Sequence, residues 1–350
     1  MKKSLLALAV LGTLAGVASA QSSVTIYGRV DESFAKPVGT KDKQIADNGG
    51  AGGSRLGFKG TEDLGNGLSA LFRFEHGFYP DDGTAASSSA FWNRYAMVGL
   101  SSTKFGTLSL GRLENGAWDV ITSFDPFGGE TGAELRDTGS ALRVANWNAG
   151  YKATGAASYN FAITGNTLDV RRLDNAVRYD YAYQGFKASA SIAEKSVTTS
   201  DGGKPVAVGG SYTAGPLYLG AGYEKLSAEN GKMWIVGGTY DFGMAKLYAN
   251  YAGGTTGGTT STGDRDVKGF LVGATAPYGA LLFKAGYAQS KVDWATGEQT
   301  YKKASVGVDY NLSKRTKLYA DYARIGGDIA DNSLADNNRN GYDVGLRHSF

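Results

Sequence analysis

Along most of this chain, apolar and polar side chains alternate with a period of two. In residues 68–75, Leu68, Ala70, Phe72 and Phe74 fall on one face, and Ser69, Leu71, Arg73 and Glu75 on the other. Residues 302–310 set Ala304, Val306, Val308 and Tyr310 against Lys303, Ser305, Gly307 and Asp309. Residues 281–288 and 342–350 repeat the pattern, the last ending on Phe350. Successive side chains of a strand point to opposite faces, so this spacing predicts half-polar strands. Short turns recur at 63–67, 103–106, 183–185, 214–216, 241–243, 277–279 and 311–315. They predict seven hairpins which, with one strand at each terminus, make sixteen strands. Longer polar connections lie between the hairpins, at 37–53, 79–90, 253–266 and 326–340.

Periodicity alone leaves two architectures open. A soluble sandwich turns its apolar face inward, whereas a membrane barrel turns it out to lipid. Strand number and the separation of short turns from long loops favour the barrel. Composition points the same way: 52 glycines, 21 tyrosines and 15 phenylalanines accompany a mean hydropathy of only −0.26. A wet interior explains the polar faces, and interfacial girdles explain aromatics at strand ends. The uncharged stretches 205–223 and 269–283 approach the length of a membrane helix, but Gly215-Pro216 and Pro277-Tyr278-Gly279 divide each into two strands and a turn.

The first twenty residues read as an export signal. Lys2 and Lys3 precede an apolar run, and Ala18-Ser19-Ala20 forms a small-residue cleavage site. Cleavage there leaves 330 residues with a formal charge of +1. The chain has no cysteine, which excludes disulfides and thiolate chemistry. Its two histidines, His76 and His348, are far apart, so no metal or other cofactor is expected. Near-neutral charge gives no sign of nucleic-acid binding.

One segment breaks the strand rhythm. After Arg112 the alternation stops and does not return until about Leu173, and SFDPFGGETGAELRD at 123–137 is acidic and glycine-rich. Its neighbours carry recognisable motifs. SVTIYGRVDESF at 23–34, SRLGFKGTEDLGNGLSALFRFE at 54–75, RLDNAVRYDYAYQGF at 172–186 and the terminal YDVGLRHSF resemble, in order, strands of the Gram-negative general porins. The resemblance covers residues 21–350 and is closest to the porins of beta-proteobacteria. It implies an all-β fold, a 16-stranded antiparallel transmembrane β-barrel whose third loop, about 113–170, folds inward and narrows the pore. It further implies a homotrimer in the outer membrane, surrounded by outer-membrane lipid, and passive diffusion of small hydrophilic solutes and inorganic ions. It marks Phe350 as the signal read by the outer-membrane assembly machinery. An inserted loop suits the physics, because sixteen strands leave an open aqueous channel and irregular backbone is tolerated where it lines water.

Strand parity places Arg29, Arg55, Arg73 and Arg172 on the polar face. By resemblance Arg55, Arg94 and Arg172 form a basic wall opposite the loop, although Arg94 shares its parity with Ala96, Val98 and Leu100. Asp119, Asp125 and Glu130 are the expected acids of the loop. Opposed charges between low-dielectric walls focus a field across the channel. At 4 Å, unit charges interact by about 4 kcal/mol at intermediate dielectric and about 1 kcal/mol in water. The arginines suggest a mild anion preference and the loop acids oppose it. A substrate-specific channel is the alternative, for which Tyr218, Tyr248 and Tyr319 face inward. An outer-membrane lipase would need a serine at reach of His76, where Phe78 stands instead. A soluble adhesin would need neither the inserted segment nor the terminal phenylalanine.

Overall fold

The computed structural model describes residues 23–38, 43–47, 53–129, 131–136, 171–194, 204–225, 231–256, 265–294, 297–328 and 338–350. The expected leader, Glu130 and the 137–170 part of the expected constriction loop lie outside them. The elements are β1 (Ser23–Lys36), β2 (Gln44–Ala46), β3 (Arg55–Gly65), β4 (Leu68–Gly77), β5 (Tyr95–Ser102), β6 (Gly106–Glu114), α1 (Trp118–Thr122), β7 (Arg172–Tyr183), β8 (Phe186–Ala193), β9 (Val206–Ala214), β10 (Leu217–Lys225), β11 (Lys232–Asp241), β12 (Lys246–Thr256), β13 (Arg265–Tyr278), β14 (Leu281–Trp294), β15 (Gly297–Asn311), β16 (Thr316–Gly326) and β17 (Asn340–Ser349). Sixteen of the strands are long; β2 has three residues and lies within the first long connection. No described helix is long and apolar enough to cross a membrane.

Each long strand pairs antiparallel with its neighbours in sequence, and the sheet closes on itself. The lower half of β1, Ser23–Arg29, pairs with β3, and its upper half, Arg29–Lys36, pairs with β17. Phe350 completes the seam: its backbone N–H donates to Gly28 O and its carbonyl accepts from Gly28 N, both at 3.1 Å. Closure leaves the long strands without an open edge, which lipid would not tolerate. The seven expected hairpin turns are present. In the first, Gly65, Asn66 and Gly67 all take positive φ, the backbone such a tight reversal needs. The loops at the opposite end are mostly long, with one departure: β14 and β15 are joined by residues 295–296 alone.

Outward and inward positions differ in chemistry. In β10, Leu219 and Tyr223 are exposed on the outside while Gly220, Gly222 and Glu224 are buried inside. In β17, Val344 and Leu346 face out while Asp343 and Arg347 face in. The apolar exterior is therefore continuous around the barrel, as hydrocarbon contact requires.

The buried apolar cluster is inside the barrel. Trp118, Val120, Ile121, Phe124, Phe127 and Leu135, all from the segment after β6, pack against Ala207, Met233, Ile235, Leu271, Val267 and Val292 of the wall. Close approach is possible because the wall carries glycine there. A Cβ at Gly209 would lie 2.4 Å from Gly116 O, and one at Gly273 would lie 2.7 Å from Pro126 Cγ. Under part of this segment the inward face is thus apolar or glycine, and the simple rule of a polar inside fails there.

Candidate functional site

Two carboxylates organise the interior near the loop-bearing end of β1 and β3–β7. Glu75, on β4, is fully buried. Its Oε1 accepts from Arg94 Nε at 2.5 Å, and its Oε2 accepts from Arg73 Nη2 at 2.7 Å and from Tyr27 Oη at 2.8 Å. Arg55 Nε lies 4.0 Å from the same oxygen. Glu114, at the end of β6, accepts from Tyr95 Oη at 2.5 Å and from Arg171 Nε at 2.7 Å, with Arg172 Nη2 at 3.7 Å. The Arg73 guanidinium stands 3.6 Å from the Tyr95 ring centroid and links the two groups. Five guanidiniums therefore share two carboxylates, and the surplus charge of this wall is positive.

The expected basic residues fall as follows. Arg55 and Arg73 reach this cluster from the polar faces of their strands, and Arg172 reaches it from the end of β7, beyond the shift in the β6–β7 ladder. Arg29 is buried on the inward face of β1, with its Cα opposite that of Arg55. Arg94 precedes β5 rather than lying within it, so the outward parity of Ala96, Val98 and Leu100 does not bind it, and it turns in to Glu75. Arg112 stands opposite Ala96 in the β5–β6 ladder and so keeps the outward side of its strand. The ladder shifts between Gly111 and Leu113, and Arg112 Nε donates to Asn93 O at 2.8 Å while the guanidinium pairs with Asp174.

The expected acids divide. Asp119, on α1, keeps an exposed side chain and receives Arg178 Nη2 at 2.6 Å. Asp125 requires a correction: it does not present its charge to open water. It is only 4% exposed, and its oxygens accept from the backbone N–H groups of Phe127, Gly129, Leu135 and Arg136 at 2.9, 3.0, 3.1 and 3.2 Å. Burial pushes the Asp125 carboxyl up, while these donors and the Arg136 guanidinium pull the other way. Its role is to fold the segment on itself. Glu130 lies outside the described residues.

The segment is also tied to the wall. Gly132 N donates to Asp343 Oδ2 at 3.0 Å, and Lys303 Nζ donates to Gly132 O at 2.8 Å. Gly116 N donates to Ser191 Oγ at 2.9 Å, and Asn115 Nδ2 reaches Glu224 Oε2 at 3.2 Å. Trp118 lies beside two guanidiniums, Arg171 at 4.5 Å and Arg136 at 4.8 Å. On β14–β17 the charges are balanced: Lys284 bridges Asp309 at 2.6 Å and Asp321 at 3.0 Å, and Arg347 pairs with Asp31 at 2.6 Å.

Sequence reasoning did not single out Glu75, Glu114, Arg171, Arg136, Tyr27 or Tyr95. Parity already placed Glu75 beside Arg73 and could have named it as their counter-charge. Glu114 and Arg171 sit at strand ends, where alternation carries no signal. The inward tyrosines are occupied: Tyr218 and Tyr248 pack against the inner apolar cluster, and Tyr319 donates to Asp31 at 2.8 Å. His76 faces outward, stacked on Phe91 and bonded to its carbonyl, and His348 lies beside Thr316 Oγ1 at 2.8 Å.

A closed barrel, apolar outside and charged within, is a transmembrane channel of the outer-membrane type. The chain belongs to the Gram-negative porin family, whose model matches residues 7–330. It is 30% identical to an outer membrane porin protein of Bordetella pertussis and 32% identical to outer membrane porin protein 32 of Delftia acidovorans, each over the full length of both chains. Among solved structures it is similar to an anion-selective porin from Comamonas acidovorans, with a TM-score of 0.72 and 27% identity over 94% of this chain and all of that one. The protein is accordingly an outer-membrane porin.

Proposed function

We propose that the channel is narrowed by the segment between β6 and β7, about 113–170, and that it passes small anions in preference to cations. The observation that carries this reading is the sharing of Glu75 and Glu114 among Arg55, Arg73, Arg94, Arg171 and Arg172. A permeating anion meets a net positive wall of low dielectric, where its hydration is replaced by fixed guanidinium donors. The likeness to an anion-selective porin supports the same sign. Transport is passive, and no site for a bound substrate is needed: the inward tyrosines are engaged with neighbours rather than arrayed along the bore, which favours general diffusion over a sugar-type channel. Assembly as a homotrimer, recognised through the terminal strand and Phe350, is part of the proposal by family likeness.

Planar-bilayer recording in a tenfold potassium chloride gradient tests it. The expected reversal potential has the sign of chloride permeation, with conductance steps in groups of three. A potential of cation sign would overturn the selectivity, and independent single steps would overturn the trimer.

A further inference from the structure

The inner segment leaves a cleft on the side of the short turns. Its volume is about 300 Å³, and it is bounded by α1, by β7 and β8, and by the adjoining ends of β5, β6 and β9. That size is at the lower end of pockets that hold ligands, about 300–1,000 Å³. The charged residues that line it are Asp119, Asp180 and Lys187; no arginine of the Glu75 and Glu114 cluster is among them.

The two signs of charge are held apart. Arg178 fixes the negative side from behind. Its Nε donates to both oxygens of Asp180 at 3.0 Å, and its Nη2 donates to Asp180 Oδ1 at 2.7 Å and to Asp119 Oδ2 at 2.6 Å. Its Nη1 donates to the carbonyls of Glu114 and Asn115, each at 3.1 Å, so every nitrogen of this guanidinium is engaged. Two carboxylates on one guanidinium leave one unit of negative charge, and both stay open to water, with side-chain exposures of 66% and 38%. Lys187 is the positive side. It is exposed on β8 and shares the inward parity of Ser189, whose hydroxyl donates to Gly116 O at 2.5 Å. Among the described residues no carboxylate forms an ion pair with Lys187.

The register sets the gap between them. Asp180 stands opposite Ser189, and Lys187 stands two residues away along β8, opposite Ala182 and Ser211. Diagonal neighbours of this kind are about 7–8 Å apart, which leaves room for a small solute bonded at both ends. Thr107 and Ser211 add hydroxyls beside the gap. We propose that this cleft is a weak binding site for small zwitterions, neutral α-amino acids in particular, with the solute carboxylate on Lys187 and its ammonium on Asp119 and Asp180. Net charge decides the class. Asp119, Asp180, Arg178 and Lys187 sum to zero, so a simple ion meets repulsion as well as attraction. A carboxylate without an ammonium meets the acids, and an amine without a carboxylate meets the lysine. Only a dipolar solute satisfies both ends at once. The site needs the channel but not its anion preference, and solute held there still moves by passive diffusion.

The test is channel conductance in potassium chloride with added L-alanine, or with lactamide as an uncharged solute of similar size, each divided by the conductivity of the same bulk solution. L-Alanine should lower this ratio along a saturating curve, and lactamide should not. Lys187→Gln, checked as a folded band on electrophoresis, should weaken the apparent affinity for L-alanine by about fivefold, the effect of one exposed ion pair. Lys187→Arg, which keeps the charge, should stay within about twofold of the unaltered protein. Equal effects of L-alanine and lactamide would overturn the proposal. So would unchanged affinity in Lys187→Gln, which would move the solute to the arginine cluster, or equal loss in both variants, which would make the side chain's shape and not its charge decisive. Reversal potentials of the same channels in a salt gradient without solute test the anion preference, so the two readings fail separately.

Discussion

Replacing Asp125 with alanine will raise single-channel conductance while leaving the barrel folded. Four backbone N–H groups converge on this carboxylate within the inner segment. A hydrogen bond to a charged group contributes about 1.5–3 kcal/mol. Losing even two of the four costs about 3 kcal/mol, roughly a hundredfold in the population of the folded segment. The strand ladders do not involve Asp125, so the heat-resistant folded band should persist on electrophoresis. Asp125→Asn keeps one acceptor oxygen and should fall between the two. Unchanged conductance in Asp125→Ala would show that this segment does not limit the pore.

Neutralising Arg55 and Arg172 together will shift selectivity toward cations. These two sit at the edge of the charge cluster, 4.0 Å and 3.7 Å from their carboxylates, and remain partly exposed. A unit charge about 8 Å from a passing ion contributes about 0.5 kcal/mol even at the dielectric of water. Two such charges make about 1 kcal/mol, roughly a fivefold change in the permeability ratio. Arg55→Gln with Arg172→Gln should therefore move the reversal potential in a salt gradient toward the cation limit without loss of folded protein. Arg73→Gln or Arg94→Gln should behave differently. Each directly bonds the buried Glu75, and removing a partner from a buried ion pair costs about 3–5 kcal/mol. Stability should fall more than selectivity changes. An identical reversal potential in the Arg55/Arg172 variant would remove both from the ion path.

The barrel was legible because its signals are local. Turn residues such as Gly65-Asn66-Gly67 fix a hairpin within five positions, and alternation sorts each strand into two faces, which the strand count and loop asymmetry then assign to lipid and to water. Charge placement followed wherever a strand runs regularly, as for Arg55 and Arg73. It carried no information where the backbone leaves the regular ladder: Arg94 lies outside β5, and Arg172 lies beyond the shift in the β6–β7 ladder. The inner apolar cluster was hidden for a related reason. Met233-Trp234-Ile235-Val236 has apolar residues on both faces because one face meets lipid and the other meets the segment carrying Phe124 and Leu135. Asp125 shows a further limit. An acid among glycines reads as a solvated loop charge, and only the fold reveals that neighbouring N–H groups consume it.

Because the chain contains no cysteine, a single introduced thiol can report the inside and outside of the barrel. Current is recorded while a charged, water-borne methanethiosulfonate reagent is added to Asp119→Cys or to Val236→Cys. Asp119 has an exposed side chain on the inner segment, and Val236 is half exposed at an outward position of β11. Current through Asp119→Cys channels should drop on addition, while Val236→Cys channels should conduct unchanged and remain unmodified. Modification of Val236→Cys with no change at Asp119→Cys would contradict an apolar exterior enclosing a wet channel partly filled by residues 115–129 and 131–136.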